Sequence, residues 1–146
     1  MLQIVDQNIY LLIHLLFEMK YISIIPARGG SKRFPGKNTH ALNGIPLIGH
    51  SIAYSLNNPE IVGTYVSTDA EDIKQISRKA GAEIIDRPAE FAGDHATTAS
   101  AMKHAVQYLM NKEVEFDYVV LLQSTNPLRP KNLLKDAIDI IEKDGY

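Results

Sequence analysis

Apolar and polar positions change rhythm along the chain, and each change marks an element. Residues 21–26, YISIIP, form a short apolar run, the pattern of a strand covered by helices on both faces of a parallel sheet. Residues 46–56 then place Leu47, Ile48, Ile52 and Leu56 at helical spacing, and Asn57-Asn58-Pro59 stops the helix. A second strand is predicted over 61–67, rich in β-branched and aromatic residues. It ends in Ser67-Thr68-Asp69-Ala70-Glu71, where Thr68 and Glu71 have the spacing of a capping box. The helix that follows, about 70–79, has Ile73, Ile76 and Ala80 as its expected inner stripe and Gly81 as its terminator. A third strand covers 82–86. After the loop RPAEFAGDHATT, residues 98–110 predict a helix with Ala99, Met102, Val106 and Leu109 on one side. A fourth strand over 117–122, the loop 123–130 and a helix over 131–142, with Leu134, Ala137, Ile138 and Ile141 inward, complete the series. Strands alternating with helices of this length predict a doubly wound α/β sheet, mostly parallel and flanked by helices.

Residues 1–18 stand apart. The run 9–17 is apolar except for His14, too short for an ordinary spanning helix and without the basic flank or small-residue cleavage pattern of a signal peptide. It reads as a leader or non-native extension ahead of an alternative start at Met19, and 19–146 as the folded part.

With 146 residues, one core is expected. Fifteen Lys+Arg against 17 Asp+Glu give a net charge of -2, so no broad field attracts nucleic acid or an anionic membrane, and neither is an expected partner. An anion site must be local. The absence of cysteine rules out disulfides and thiolate metal cages and fits a reducing, cytoplasmic setting. The histidines lack metal-site spacing, and no GxSxG elbow supports an activated serine.

Open parallel sheets bind ligands beyond the carboxyl ends of their strands. Four loops lie there: 27–38, 68–69, 87–98 and 123–129. The first, ARGGSKRFPGKN, follows the first strand directly. Gly29 and Gly30 permit dihedrals and close approaches that a side chain forbids, so backbone N–H groups can turn onto phosphate oxygens. Arg28, Lys32, Arg33 and Lys37 add charge-assisted donors. The loop is neither a Walker A sequence nor GxGxxG. Phosphate or nucleotide binding, a solvated basic turn, and a protein or nucleic-acid contact all stay open from these residues; the position behind the apolar strand favours the first. In LLQSTNPLRP, Gln123 both donates and accepts, as reading a base edge or ribose requires. Ser124, Thr125 and Asn126 suit capping of the next helix, or organise the loop alone. Asp69 is in part a helix-start residue and in part a candidate for positioning Mg²⁺, and Asp94 is a further one.

Four blocks in order, IIPARGGSKRFPGKN, VSTDAEDI, GAEIIDRPAEFAGDHATT and LLQSTNPLRP, resemble the acylneuraminate cytidylyltransferase family, which makes CMP-sialic acid and its bacterial relatives. The likeness covers about residues 20–141. It implies a Rossmann-like nucleotidyltransferase fold, here its amino-terminal portion, truncated after the fourth predicted strand and its helix. It also implies CTP as substrate, Mg²⁺ as cofactor and a nonulosonic acid as acceptor, with CMP-sugar and pyrophosphate as products. By motif position, Arg28 and Lys37 would hold the triphosphate, Ala27, Gly29 and Ser31 would add backbone or hydroxyl contacts, and Asn38 would line the nucleotide. Arg87 and Thr98 would contact the cytidine, Thr98 standing where many relatives carry serine, and Gln123 would approach nucleotide and acceptor. The main metal-binding aspartates and the element through which relatives dimerise would lie outside the residues present. QSTNP replaces the family's usual QPTSP at 123–127, which leaves the acceptor open among sialic, legionaminic and pseudaminic acids. The alternatives are an inactive or partner-completed nucleotide-binding fragment, or a transferase for another sugar such as Kdo. The latter's relatives typically open with a different loop.

Overall fold

The computed structural model describes residues 19–144, so the expectations for 1–18 fall outside it. Strand β1 (Tyr21–Pro26) is followed by a small hairpin, β2 (Ala41–Leu42) and β3 (Ile45–Pro46), and helix α1 (Leu47–Leu56). Then come β4 (Ile61–Thr68), α2 (Glu71–Lys79), β5 (Glu83–Asp86), a 3-10 turn at Ala89–Phe91, α3 (Thr98–Asn111), β6 (Tyr118–Leu121) and α4 (Leu133–Asp144). The main sheet has the order β5-β4-β1-β6, and every pairing in it is parallel. It is thus the helix-flanked α/β sheet that the alternating pattern predicts. The chain steps outward from β1 through β4 to β5, then crosses back to place β6 on the other side of β1, in register from Tyr21 opposite Tyr118 to Ile24 opposite Leu121. That reversal makes the carboxyl end of β1 a topological switch point, where such sheets open a crevice.

Alternation along β1 assigns each face. Ile22 and Ile24 pack with Tyr65, Ile85, Ala105 and Leu109, which puts α3 on one side. Ile25 faces Ile48, Ile52 and Ile73 of α1 and α2, and Tyr21 meets Leu134 and Ile138 of α4, all on the other side. Ser23 departs from the apolar run. Fully buried, it is satisfied by a hydroxyl relay in which Ser23 Oγ lies 2.6 Å from Ser55 Oγ, itself 2.7 Å from Thr64 Oγ1.

The helical stripes are rotated from those the hydrophobic residues suggest. Helix α3 buries Ala101, Ala105 and Leu109, leaving Met102 and Val106 half-buried and Ala99 exposed. Small side chains at i and i+4 let the helix axis approach the sheet, and the larger residues then wedge along the flanks. In α2, Ile73 is joined inside by Ser77, Ile76 is half-buried and Ala80 is exposed. In α1 the buried face is Ile48, Ser51, Ile52 and Ser55, while Leu56 is largely exposed. Helix α4 buries Leu134 and Ile138 but not Ala137.

Turn chemistry explains the ends. Gly81 closes α2 with φ +96°, donating to Arg78 O at 3.1 Å. Asn43 and Gly44, with φ 52° and 79°, form the two-residue connection of the β2–β3 hairpin, as an Asn-Gly pair favours. The expected capping box does not form. Helix α2 begins at Glu71, two residues later than a Thr68 cap requires; Thr68 Oγ1 accepts from Ala70 N at 3.2 Å, and Glu71 turns along the helix towards Lys74 and Arg78.

Tyr21 stacks on Tyr118, with ring centroids 5.0 Å apart, and burial together with Glu142 pushes its hydroxyl pKa up to about 12. The folded state therefore holds this proton more tightly than the unfolded chain. Its stabilising contribution is complete below the ordinary tyrosine pKa near 10 and is lost as pH rises to about 12. Thermal melts of Tyr21→Phe are expected to show a shallower decline than wild type across that window. Parallel alkaline limbs would show that Tyr21 does not titrate with unfolding.

Candidate functional site

At the switch point the carboxyl-end loops enclose a cleft of about 270 Å³. Of the residues singled out in the sequence, Arg28, Lys37, Asn38, Arg87, Thr98, Gln123, Ser124 and Thr125 line it. They come from the loops after β1, β5 and β6 and from the first residue of α3, brought together by the strand order.

Asn38 is the knot between two of these loops. Only 5% exposed, it donates through Nδ2 to Arg28 O at 3.1 Å and accepts through Oδ1 from Ser124 Oγ at 2.6 Å. Its own carbonyl accepts from Ile48 N at 3.0 Å, fastening the basic loop to the start of α1. Gly36, with φ +69°, provides the left-handed turn just before Lys37. Gly29 and Gly30 do not take left-handed dihedrals; the requirement at Gly29 is space. A Cβ there would stand 2.6 Å from Ala70 Cβ, closer than any real contact.

Ala27, Gly29 and Ser31 are not among the residues that line it. Ala27 N donates to Ser67 O at 2.9 Å, Gly29 N to Asp69 Oδ1 at 2.9 Å, and Ser31 N to Gly29 O at 2.9 Å. Asp69 thus ties the 68–69 loop to the first and holds the Arg28-Gly29 turn.

Arg87 is the buried cation of the site. Only 8% exposed, it donates through Nε to Ser67 Oγ at 3.1 Å and through Nη2 to Ser67 O at 2.6 Å. Burial lowers its pKa, Asp69 opposes that shift and the nearby Arg28 adds to it. No carboxylate pairs with it at salt-bridge distance among the described residues. A buried, unpaired guanidinium beside a second cation is stabilised by any anion that enters.

Thr98 opens α3, but its neighbour Thr97 is the cap, with Oγ1 accepting from Ser100 N at 3.0 Å. The Thr98 side chain is thereby left at the cleft wall beside the positive end of a 14-residue helix. Ser124, Thr125 and Asn126 do not cap α4, which starts only at Leu133; Ser124 is instead spent on Asn38.

Gln123 is held from behind. Its carbonyl accepts from Arg129 Nη2 at 2.6 Å, and Arg129 Nη1 donates to Ser51 Oγ at 3.0 Å while the guanidinium lies 5.4 Å from the Tyr54 ring centroid. Arg129 and Phe91, which also lines the cleft, were not singled out from the sequence. The lone arginine of a proline-flanked turn is the signal for the first; Phe91 carries none.

Three histidine or carboxylate groups able to share a metal do not converge anywhere among the described residues. Asp69 has one oxygen engaged by Gly29 N, and the charged side chains that line the cleft, Arg28, Lys37 and Arg87, are all cations. The donor set present does not make a Mg²⁺ cage. No helix among the described residues is long and apolar enough to cross a membrane.

A family model described as cytidylyltransferase matches residues 22–146. The pseudaminic acid cytidylyltransferase of Campylobacter jejuni is 38% identical over 122 residues, which are 83% of this chain and 53% of that protein. The CMP-N,N'-diacetyllegionaminic acid synthase of Legionella pneumophila is 39% identical over 131 residues, 87% of this chain and 55% of that one. Among solved structures, CMP:2-keto-3-deoxy-manno-octonic acid synthetase complexed with CTP superposes with a TM-score of 0.71 at 25% identity, over 86% of this chain and 48% of its own. The chain spans about half the length of the curated relatives it matches. A parallel sheet with its basic loop at the switch point, and relatives of this kind over nearly all the described residues, lead to one assignment: the chain belongs to the cytidylyltransferase family.

Proposed function

We propose that this chain forms the CTP-binding part of an enzyme that activates a sialic-type nonulosonic acid as its CMP derivative. The observation that carries this reading is the convergence of Arg28, Lys37, Arg87, Thr98 and Gln123 on one cleft, with a buried guanidinium at its base. The relatives named for pseudaminic and diacetyllegionaminic acids support a nonulosonic acceptor over Kdo.

In the proposed reaction the anomeric hydroxyl oxygen of the sugar acid attacks the α-phosphorus of CTP. The bond from α-phosphorus to the bridging oxygen breaks, pyrophosphate leaves, and the hydroxyl proton passes to solvent or base. Arg28 and Lys37 would neutralise charge growing on the leaving pyrophosphate, a service worth more in transition state than ground state. Arg87 and Thr98 would fix the cytidine, and Gln123, braced by Arg129, would orient the nucleotide against the acceptor. Mg²⁺ dependence belongs to the family; among the described residues no group of three metal-ligating side chains converges to hold it, and no step above is assigned to it.

Isothermal titration of the chain with CTP at low and high salt tests the reading. CTP is expected to bind with an affinity that falls as salt rises. Equal affinity for CTP and inorganic tripolyphosphate would reject the nucleotide site.

A further inference from the structure

Two cations of the basic loop, one of them the cleft-lining Arg28, are engaged by a carboxylate from the loop that precedes α3. Asp94 lies between the 3-10 turn and α3. Its Oδ2 is 2.5 Å from Lys32 Nζ and its Oδ1 is 3.8 Å from Arg28 Nη1. The same arginine nitrogen donates to the neighbouring Gly93 carbonyl at 3.0 Å. The hydrogen bond from Lys32, followed by the charges of Lys32, Arg28 and His95, holds the Asp94 carboxyl below its ordinary range, so it is ionised at neutral pH. Both ends of the bridge are open to water, with the Asp94 side chain 47% exposed and that of Lys32 76%. Such a pair is weakly held and easily exchanged for a stronger anion.

We propose that Asp94 is a specificity-determining residue: a displaceable internal counter-anion that the outer phosphates of a nucleotide must remove from Lys32 and Arg28. This rests on the nucleotide reading above. A terminal phosphate brings more charge and more acceptor oxygens than one carboxylate, so it wins the exchange. A singly charged anion competes against a carboxylate already tethered at high effective concentration, and loses. The bridge therefore screens the site against small anions and admits a polyphosphate chain long enough to reach the rim. A nucleoside monophosphate, which lacks the outer phosphates, leaves it closed. Nucleotide entry then also releases the 92–96 segment from the basic loop.

The test compares the full chain with Asp94→Asn in calorimetric titrations of tripolyphosphate, CTP and CMP, first in metal-free buffer and then with Mg²⁺. Without metal, the variant is expected to bind tripolyphosphate and CTP about twofold to fivefold more tightly than wild type, with CMP unchanged. The advantage should shrink as salt rises. In a Lys32→Gln background the same substitution should gain less, because its principal partner is gone. Unchanged or weaker metal-free binding by the variant would overturn the proposal, as would an equal gain without Lys32. A loss appearing only with Mg²⁺ would assign Asp94 to metal coordination and overturn it too. Because tripolyphosphate carries no base, failure of the cytidine reading leaves CTP and tripolyphosphate alike in both proteins, an outcome separate from any of these.

Discussion

Arg87→Met is expected to weaken CTP binding by roughly 10- to 100-fold while leaving thermal stability within about 1 kcal/mol of wild type. The two effects separate because the guanidinium carries two unlike energies. In the empty fold it is a desolvated charge whose partners are a strand carbonyl and a serine hydroxyl, and Ser67 O already accepts from Ala27 N. Removing the charge relieves a desolvation cost of the same order as the hydrogen bonds lost. Methionine has enough length and flexibility to follow the channel that the arginine occupies. In the bound state the balance changes, since an anion or polar base edge arriving beside Arg87 gains a charged partner in a water-poor setting. Arg87→Lys should recover only part of the affinity, because a compact ammonium does not reproduce the planar fork that reaches Ser67 Oγ through Nε and Ser67 O through Nη2. Affinity unchanged in Arg87→Met, measured by titration beside a thermal melt, would make Arg87 a structural tie and remove it from the site. A large drop in melting temperature with unaltered CTP affinity would lead to the same conclusion.

The sheet was legible because its strands carry the right signal. Residues 21–26 are apolar at all but one position, and a strand covered on both faces has no other way to be written. The helices were legible as helices but not in orientation. Helix α3 turns towards Ala101 and Ala105, and α1 towards Ser51 and Ser55, because small side chains permit close approach to a sheet. Neither alanine nor serine announces this in a hydrophobicity pattern. The Asn-Gly hairpin at 43–44 was plainly written, although a reading centred on long elements passes over two-residue strands. Within the cleft, residue types were readable from the motifs, whereas their partners were not. Asn38 with Ser124, Gly29 with Asp69, and Lys32 with Asp94 join loops 86, 40 and about 60 positions apart, and only the strand order determines which loops meet. The same blindness let Thr68 and Glu71 pass for a capping box, since spacing alone does not say whether the helix starts at the cap.

Asn38→Ala is expected to destabilise the fold by about 2–4 kcal/mol and to weaken CTP binding as well. Two groups lose their partner at once: the half-buried Arg28 carbonyl loses a donor, and the Ser124 hydroxyl, 4% exposed, loses an acceptor. Each orphan costs about 1–3 kcal/mol, and truncation removes packing beside the first turn of α1 in addition. Ser124→Ala should cost less, about 1–2 kcal/mol, since it strands only Asn38 Oδ1 and leaves the tie to Arg28 intact. The double variant discriminates between a shared hydrogen bond and two independent losses. With the 2.6 Å bond as the link, its destabilisation should fall short of the sum of the singles by about 1 kcal/mol. Chemical denaturation of the four proteins supplies the cycle, and titration with CTP reports whether the function follows the same coupling. Additive stabilities would mean that the two loops are held together by packing alone. The binding arm carries the functional consequence: Asn38 positions Arg28 through its carbonyl and the 123–126 turn through Ser124, so its loss moves both walls of the cleft together. A variant that unfolds more easily yet, at temperatures where it is folded, binds CTP as wild type does would show that the walls keep their spacing without it.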